Sequence, residues 1–319
     1  MLSDPRVSAC IVLYHATGEV LRTVRCLQNA TTPVTLFVVD NSPQEPMARQ
    51  IQAQCRQARI IPMKRNVGFA AANNEALKQL SSTYHLILNP DVTFEPDVIQ
   101  RMVDFMDAHP DVAILTPRVF NIDGTEQFLP KRRPTIRYMA SGSLAKWGEK
   151  KAAKARALDA PLRLAEETAA AARQRLEAEK RKNPRALARC LRLERQARRL
   201  GRKKQRLEER AAALTRLRAE YTLADDPPTE PMEVQFATGC FLLIRSHLFF
   251  RIGGFDPRYF LYQEDSDLSM KVMRYGKIVY HPDMHITHAW HRDSSHSFRH
   301  RMLHLVSTIR FFNKWGWKW

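Results

Sequence analysis

Leu86, Ile87 and Leu88 form a short apolar run that stops abruptly at Asn89-Pro90-Asp91. A run of this kind, opened by Tyr84-His85 and closed by turn formers, reads as a strand buried on both faces. That in turn requires a parallel sheet covered by helices. Asn89-Pro90-Asp91 then falls at the carboxyl end of the strand, where open α/β sheets place their ligand crevice. Beside the stiff backbone of Pro90, the Asp91 carboxylate is a hard oxygen ligand suited to Mg²⁺ or Mn²⁺. An Asn-Pro-Asp triplet is more often a plain turn, and both readings stand at this point.

The flanking sequence repeats the pattern. Val7 to Leu13 is aliphatic enough for a first buried strand, closing at Tyr14-His15, and Thr17 can cap a helix with Val20, Leu21, Val24 and Leu27 on one face. Val34 to Val39 predicts a second strand ending at Asp40-Asn41-Ser42, followed by a polar helix from about Pro46 to Arg59 and a short strand at Ile60-Ile61. Asn66-Val67-Gly68-Phe69 opens another helix, and beyond the central strand come a helix from Pro96 to about His109 and a strand from Val112 to Leu115. Strands and helices alternating over short links predict a parallel α/β sheet.

From Ala145 to Ala224 the composition changes. This stretch holds 24 Lys and Arg against 10 Asp and Glu, a net +14 of the chain's +18. Asn183-Pro184 is its one break, with Pro184 suited to a first helical position. Leu193, Leu200, Leu207, Leu214 and Tyr221 recur every seventh residue, while Ala197, Lys204, Ala211 and Arg218 between them are mixed. The expectation is an αα-hairpin with a narrow apolar stripe rather than a full coiled-coil seam, ended by Asp225-Asp226-Pro227-Pro228. The basicity thus belongs to one segment, which removes the main argument for a nucleic-acid-binding fold.

The α/β pattern then resumes. It has a strand within Val234 to Arg245 interrupted at Thr238-Gly239, a turn at Gly253-Gly254-Phe255-Asp256, a helix from Glu264 to Tyr275 and a strand from Lys277 to Tyr280. Cys10, Cys26, Cys55, Cys190 and Cys240 form no CxxC pair, which points to free thiols in a reducing, cytoplasmic setting. Met1 to Pro5 is no signal peptide, and no apolar run approaches the ~18 residues of a membrane span. The division expected is a discontinuous α/β domain over 1–144 and 226–298, an inserted basic helical hairpin over 145–225, and a basic, aromatic amphipathic helix over 299–319.

Several residues are candidates for chemistry. Asp40 closes a strand, where it is either a turn former or an acceptor for a nucleobase or ribose. No GxGxxG follows the first strand, which weighs against a dinucleotide fold. Glu264-Asp265-Ser266-Asp267 puts three carboxylates in a first helical turn, as a dipole-favoured acidic terminus or as a general base. Tyr259-Phe260-Leu261-Tyr262 leads into it, as core or as a surface for stacking on sugars. His285, His288 and His291 recur at i, i+3 and i+6 beside a possible metal carboxylate.

Taken together, these stretches resemble the family 2 inverting glycosyltransferases of the GT-A fold, and most closely bacterial rhamnosyltransferases that use dTDP-rhamnose in O-antigen and other surface polysaccharides. The matching text is Ile11–His15, Val38–Ser42, Asn66–Ala70, Leu88–Val92, Ala237–Gly239, Gly253–Asp256, Glu264–Leu268, and His288 with Ser294-Ser295, all in the family's order. His15 stands where many members have Asn, and the insertion matches nothing in the family's core.

The resemblance implies a division of labour. Asp40 would hold the base of the nucleotide, with Tyr14, Asn66, Gly68, Asn89, Thr238 and Gly239 around the donor. Asp91 stands at the second acid of the family's Asp-x-Asp metal motif, with Asn89 at the first. His288 helps hold the diphosphate or its metal, Mg²⁺ or Mn²⁺. Asp265 looks like the catalytic base, with Glu264, Asp267 and Tyr262 supporting it or meeting the acceptor. The partners implied are a nucleotide-sugar donor, a saccharide or lipid-linked acceptor, and an anionic membrane surface at the inner face of the plasma membrane. For that surface the expected device is a helix with Leu303, Val306, Ile309 and Phe312 on one face, Arg and Lys beside them, and Trp315, Trp317 and Trp319 at its end. The hairpin would either add charge to that contact or mediate self-association through its Leu193–Tyr221 stripe. Other family 2 donors, a hexosamine or galactofuranose, and a non-catalytic polyanion-binding protein are the competing readings.

Overall fold

A computed structural model describes residues 6–42, 46–129, 132–178, 184–224, 227–289 and 298–319, without the side chain of residue 143. The chain forms two compact units, one of residues 1–134 with 222–319 and one of residues 135–221.

The first unit is built on a single sheet. Its strands are β1 (Val7–Leu13), β2 (Val34–Asp40), β3 (Arg59–Pro62), β4 (Tyr84–Leu88), β5 (Val92–Phe94), β6 (Val112–Phe120), β7 (Met232–Val234), β8 (Phe241–Arg245) and β9 (Lys277–His288), in the order β3-β2-β1-β4-β8-β6-β9-β5 with β7 on β9. β3, β2, β1 and β4 are mutually parallel; β8 is inserted antiparallel between β4 and β6, with Leu88 opposite Phe241. The expected parallel sheet is therefore a mixed one, with β8 reversed between β4 and β6 and with β5 and β7 reversed beside β9.

Every residue of β1 is buried, as a strand covered on both faces requires. Val7, Ala9, Ile11 and Leu13 meet α1 (Val20–Gln28), α2 (Met47–Gln54) and α4 (Val98–Ala108). Cys10 and Val12 meet α3 (Phe69–Leu77) on the other face, where α8 (Ser246–Arg251) and α9 (Glu264–Val272) also pack. At roughly 1.5–3 kcal/mol for each fully buried large aliphatic, these two layers hold the sheet rigid. His85 belongs to this core. Burial pushes its imidazole down to about 3, and Nδ1 lies 2.8 Å from Ser8 Oγ. It is a neutral structural histidine.

β6 and β9 run well past Leu115 and Tyr280, where the expected strands stop. On β9, Met284, Ile286 and His288 are buried while His285 is exposed, so residues three apart face opposite sides of the sheet. That separates His285 from His288 and dissolves the histidine cluster; His291, Ser294 and Ser295 lie outside the described residues.

In the second unit, α5 (Ile136–Arg156), α6 (Asp159–Ala178) and α7 (Pro184–Thr222) make a closed hairpin. It begins ahead of Ala145 because residues 136–144 have no compositional bias to announce it. Tyr138 stacks on Tyr221 at 5.0 Å, Lys204 Nζ meets Asp159 at 2.6 Å, and Gly201 lies under Leu162. Leu193, Leu200, Leu207 and Leu214 are half-buried and Tyr221 is buried. The mixed positions are occupied too: Ala211 is buried, Lys204 takes its Asp159 partner, and Arg218 lies 5.8 Å from the Tyr221 ring centre. The stripe is thus partly used inside the hairpin, its leucines half-covered by the packing of the arms. Asn183, Asp225 and Asp226 lie outside the described residues.

Candidate active site

Because β1, β2 and β4 are parallel, their carboxyl ends lie on one edge, and this edge collects Tyr14, Asp40, Asn89 and Asp91. The reversed β8 brings its amino end to the same edge, so Thr238-Gly239-Cys240 join them; Asn89 N–H donates to Cys240 O at 2.9 Å. β5 pairs with β9 as Val92 opposite His288, which adds the histidine.

Asp91 and His288 form a tight pair, with Asp91 Oδ1 3.3 Å from His288 Nε2. Asn89 Nδ2 lies 3.2 Å from the same nitrogen, and Gln127 Oε1 lies 3.1 Å from His288 Nδ1. With Gln127 Oε1 accepting from Nδ1–H, Nε2 is the ring nitrogen that faces Asn89 and Asp91. Gln127 Nε2 also donates to His288 O at 2.9 Å, so this amide fixes ring and backbone together. Gln127 was missed in the sequence. It stands in an unremarkable Glu-Gln-Phe after a turn, and the Phe120–Glu126 bridge, with Gln127 N–H donating to Val119 O at 2.8 Å, folds it back beside β9.

A carboxylate oxygen and an imidazole nitrogen that converge with the histidine held from behind suit a divalent cation. Among the described residues no three His, Cys, Asp or Glu side chains form a metal cluster. A two-ligand site of this kind suits a cation shared with a substrate's phosphates.

The second carboxylate of interest is Asp265. It is the second residue of α9, which follows two residues in left-handed conformation, Tyr262 at φ 71° and Gln263 at φ 65°. A methyl group on Gly239 would stand 3.8 Å from Asp265 Cβ, so Asp265 lies on the same edge. Its own carboxylate accepts from Ser266 N–H at 2.8 Å. Glu264 is buried with Oε2 lacking a hydrogen-bond partner among the described residues. Burial first, and the charge of Asp265 second, push its carboxyl up to about 8.

Asp267 does not face a substrate. Its side chain is fully buried, with Lys314 Nζ at 2.7 Å and Trp315 Nε1–H donating at 2.7 Å, so it anchors the last helix, α10 (Phe298–Trp315). Tyr262 likewise turns to α10, its hydroxyl 2.9 Å from His300 Nδ1.

Asn66 and Gly68 build the loop rather than present free groups. Asn66 Oδ1 accepts from Asn41 Nδ2 and from Gly68 N–H, each at 2.9 Å. Gly68 sits at φ 86° with its Cα against Phe260 O; a Cβ there would come within 2.3 Å of that carbonyl. The close approach ties this loop to the segment that carries Tyr262 and Asp265. Asp40 is buried, one oxygen accepting from Ser42 N–H at 3.2 Å. Tyr14 is exposed beside His15, whose φ of 48° is a conformation in which Asn, Asp and His are the enriched side chains. Thr238 Oγ1 is buried without a hydrogen-bond partner among the described residues, a polar atom on this edge that a bound molecule can satisfy.

A sheet edge that gathers carboxylates and a histidine at strand ends is the ligand crevice of an α/β enzyme, and comparison with known proteins gives the family. The model of glycosyl transferase family 2 matches residues 8–173, more than half of the chain, and the chain belongs to that family. It is 38% identical over 80 residues to the rhamnosyltransferase WbbL of Escherichia coli K12, a match covering 24% of this chain and 30% of that protein. It is 24% identical over 290 residues to the N-acetylglucosaminyl-diphospho-decaprenol L-rhamnosyltransferase of Mycobacterium tuberculosis, covering 87% of this chain and 74% of that one. The mannosyltransferase PcManGT from Pyrobaculum calidifontis, solved with GDP-Man and Mn²⁺, superposes with a TM-score of 0.52 at 14% identity, over 98% of this chain and 65% of that one. The protein is a glycosyltransferase with a GT-A fold.

Proposed function

We propose that this transferase moves L-rhamnose from dTDP-L-rhamnose, with inversion, onto a hydroxyl of a saccharide or lipid-linked saccharide in the assembly of a cell-surface polysaccharide. The reading is carried by one juxtaposition: the Asp91–His288 pair and Asp265 share a sheet edge, Asp91 following β4 and Asp265 lying against Gly239 at the start of the neighbouring β8. The two rhamnosyltransferase relatives support the choice of donor, and the diphospho-decaprenol in the name of one supports a lipid-linked acceptor at the inner face of a membrane.

Asp265 accepts the proton of the acceptor hydroxyl as that oxygen bonds to the anomeric carbon. The bond from this carbon to the diphosphate oxygen breaks, the electron pair leaves with the diphosphate, and the configuration inverts. Asp91 and His288 would hold a divalent cation, Mg²⁺ or Mn²⁺, which when bound neutralises charge on the departing diphosphate. Gln127 holds Nδ1 and so turns Nε2 of His288 toward Asp91. Asp40 and the Asn41–Asn66 loop receive the nucleoside, and Thr238 lies within the donor's reach.

A calorimetric panel of sugar nucleotides with Mg²⁺ and with Mn²⁺ tests the reading. dTDP-L-rhamnose should bind tightest, and EDTA should weaken it. Tighter binding of a UDP-hexosamine or UDP-galactofuranose would reassign the donor. Binding of no sugar nucleotide, with no hydrolysis of any, would leave a non-catalytic polyanion-binding protein.

A further inference from the structure

α10 has two opposite faces. On one, Ser307 and Phe311 are buried against the rest of the first unit, Ser307 Oγ donates to Leu261 O at 2.8 Å, and His300 meets Tyr262. His304 lies beside the Tyr262 ring, 5.3 Å between centres; partial burial there pushes its imidazole down, opposed by the charge of Asp265. On the other, Phe298, Met302, Leu305, Val306 and Ile309 are exposed, spaced to form one continuous stripe at 3.6 residues per turn. The stripe differs from the expected face. Phe312 is buried, its ring 5.5 Å from that of Phe311 and 5.3 Å from that of Trp317, and Leu303 is half-buried.

Three observations say what covers this stripe. Residues 298–319 carry no acidic residue, and Arg299, Arg301, Arg310 and Lys318 add to Lys314, whose charge is taken up by Asp256 and Asp267. At 100° per residue, Arg299 and Arg310 flank the stripe on one side and Arg301 on the other, the placement that meets anionic headgroups while apolar side chains enter the acyl boundary. Trp317 and Trp319, 58% and 84% exposed, follow the helix, and tryptophan favours the interface between lipid and water. The helix is also not loose: Lys314 Nζ bridges Asp256 at 2.8 Å and Asp267 at 2.7 Å, and Arg310 donates to Arg258 O. Among the described residues no helix is long and apolar enough to cross a membrane, so the contact is in the interface plane.

We infer that the exposed face of α10 docks this protein on an anionic phospholipid surface and orients the Asp265 edge beside it. The docking stands on the surface alone; its use in presenting a lipid-linked acceptor rests on the transfer proposed above. Because Leu261, Tyr262 and Asp267 hold α10 through fixed contacts, a docked helix fixes the position of Asp265 relative to the bilayer. Raising the acceptor's effective concentration at that edge requires no new contact to the saccharide.

Flotation of the full chain with phosphatidylglycerol–phosphatidylcholine vesicles at physiological salt tests this. The wild type should float with the mixed vesicles and stay behind with pure phosphatidylcholine. The variant Met302→Glu, Leu305→Glu, Ile309→Glu replaces exposed side chains only, and should lose about tenfold in partition coefficient while its affinity for sugar nucleotide is unchanged. Blue-shifted tryptophan emission on adding mixed vesicles, diminished by Trp317→Phe with Trp319→Phe, reports the same contact. Equal flotation of variant and wild type, or no flotation of the wild type, overturns the inference. If the wild type stays behind but is a dimer that the triple variant dissociates, the stripe faces a second copy of the chain instead. Flotation reads attachment without transfer, so its failure is separable from failure of the proposed reaction.

Discussion

The sheet edge and the helical hairpin are both polar, but they hold their charges differently. At the edge, side chains far apart in sequence fix one another: Gln127, His288, Asn89 and Asp91 meet across three connections, with the histidine and its amide both buried. In the hairpin most ion pairs lie within one helix at i,i+4, such as Arg173–Glu177 and Arg198–Glu194, with arginines 67% and 71% exposed. Exposed pairs of this type are screened and positionally loose. Chemistry at a defined atom therefore belongs to the unit with little net charge, while the +14 segment sets the composition.

The sharpest way to break that contrast is to neutralise one carboxylate at the edge and several cations in the hairpin. Asp265→Asn should lower turnover by about a hundredfold or more with donor affinity nearly kept, since a general base acts in the transition state. Arg198→Gln with Arg206→Gln should leave turnover on a soluble acceptor unchanged. Steady-state kinetics beside donor titration reads both. Unchanged turnover in Asp265→Asn would move the base to Glu264, because Asp267 is taken by Lys314 and Trp315.

A smaller effect is expected one shell behind the pair. Gln127→Ala leaves both proposed ligands in place and removes the amide that holds the imidazole and its backbone carbonyl. Loss of such a support typically weakens metal affinity by roughly 10- to 100-fold. Titration of dTDP with Mn²⁺, repeated in EDTA, should show the loss in the first and none in the second. Equal binding of wild type and variant in both would mean that His288 is held well enough without the amide.

What the sequence disclosed follows the same division. The strand at Leu86–Leu88, the turn at Asn89-Pro90-Asp91 and the carboxylates of Glu264–Asp267 were legible because each is local: apolar period, breaker, helix terminus. Three things were not. The reversed β8 depends on where the chain re-enters the sheet, which no local pattern encodes. Gln127 depends on a bridge to Phe120 and on a strand more than 150 residues later. The seam of the hairpin looked incomplete because Lys204 and Arg218 read as polar, yet the first supplies an ion pair and the second an aromatic contact. The surroundings of Asp267 and Phe312 were hidden for one reason: α10, which covers the first and carries the second, starts over thirty residues after Glu264.

The buried acid of the edge should also show in stability. The carboxyl of Glu264 is raised to about 8 in the folded protein, from an ordinary value of 4.5, by burial and then by Asp265. Between those limits the folded state keeps a proton that the unfolded state has lost, so stability falls as pH rises through this window. Glu264→Gln removes that proton exchange, and Tm from pH 5 to pH 8 should fall less steeply than in the wild type, by the equivalent of on the order of a few kcal/mol. Asp256 works in the opposite sense: Arg258 first, and Lys314 after it, hold its carboxyl well below the usual range, and that contribution is lost only in acid. Parallel pH profiles for wild type and Glu264→Gln would mean that Glu264 ionises in place.

The mildest contrast lies inside the hairpin, between two glycines that composition treats alike. A Cβ on Gly148 would stand 2.8 Å from Thr215 Cγ2 and 3.0 Å from Ala211 O, and the second is backbone, so the arms must part to admit it. A Cβ on Gly201 would meet only Leu162 Cδ1 at 3.9 Å, an ordinary contact. Glycine within a helix costs about 1 kcal/mol relative to alanine. Gly201→Ala should therefore stabilise the hairpin by up to that amount. In Gly148→Ala the overpacking, about 1–3 kcal/mol, offsets the same gain and leaves a net loss of about 1 kcal/mol. Urea unfolding followed by far-ultraviolet circular dichroism resolves the two signs, with sugar-nucleotide binding as a control that neither should move. Stabilisation by both substitutions would show that the arms are free to separate at Gly148, and a hairpin so loosely joined would not hold its seam of Leu193 to Tyr221 closed.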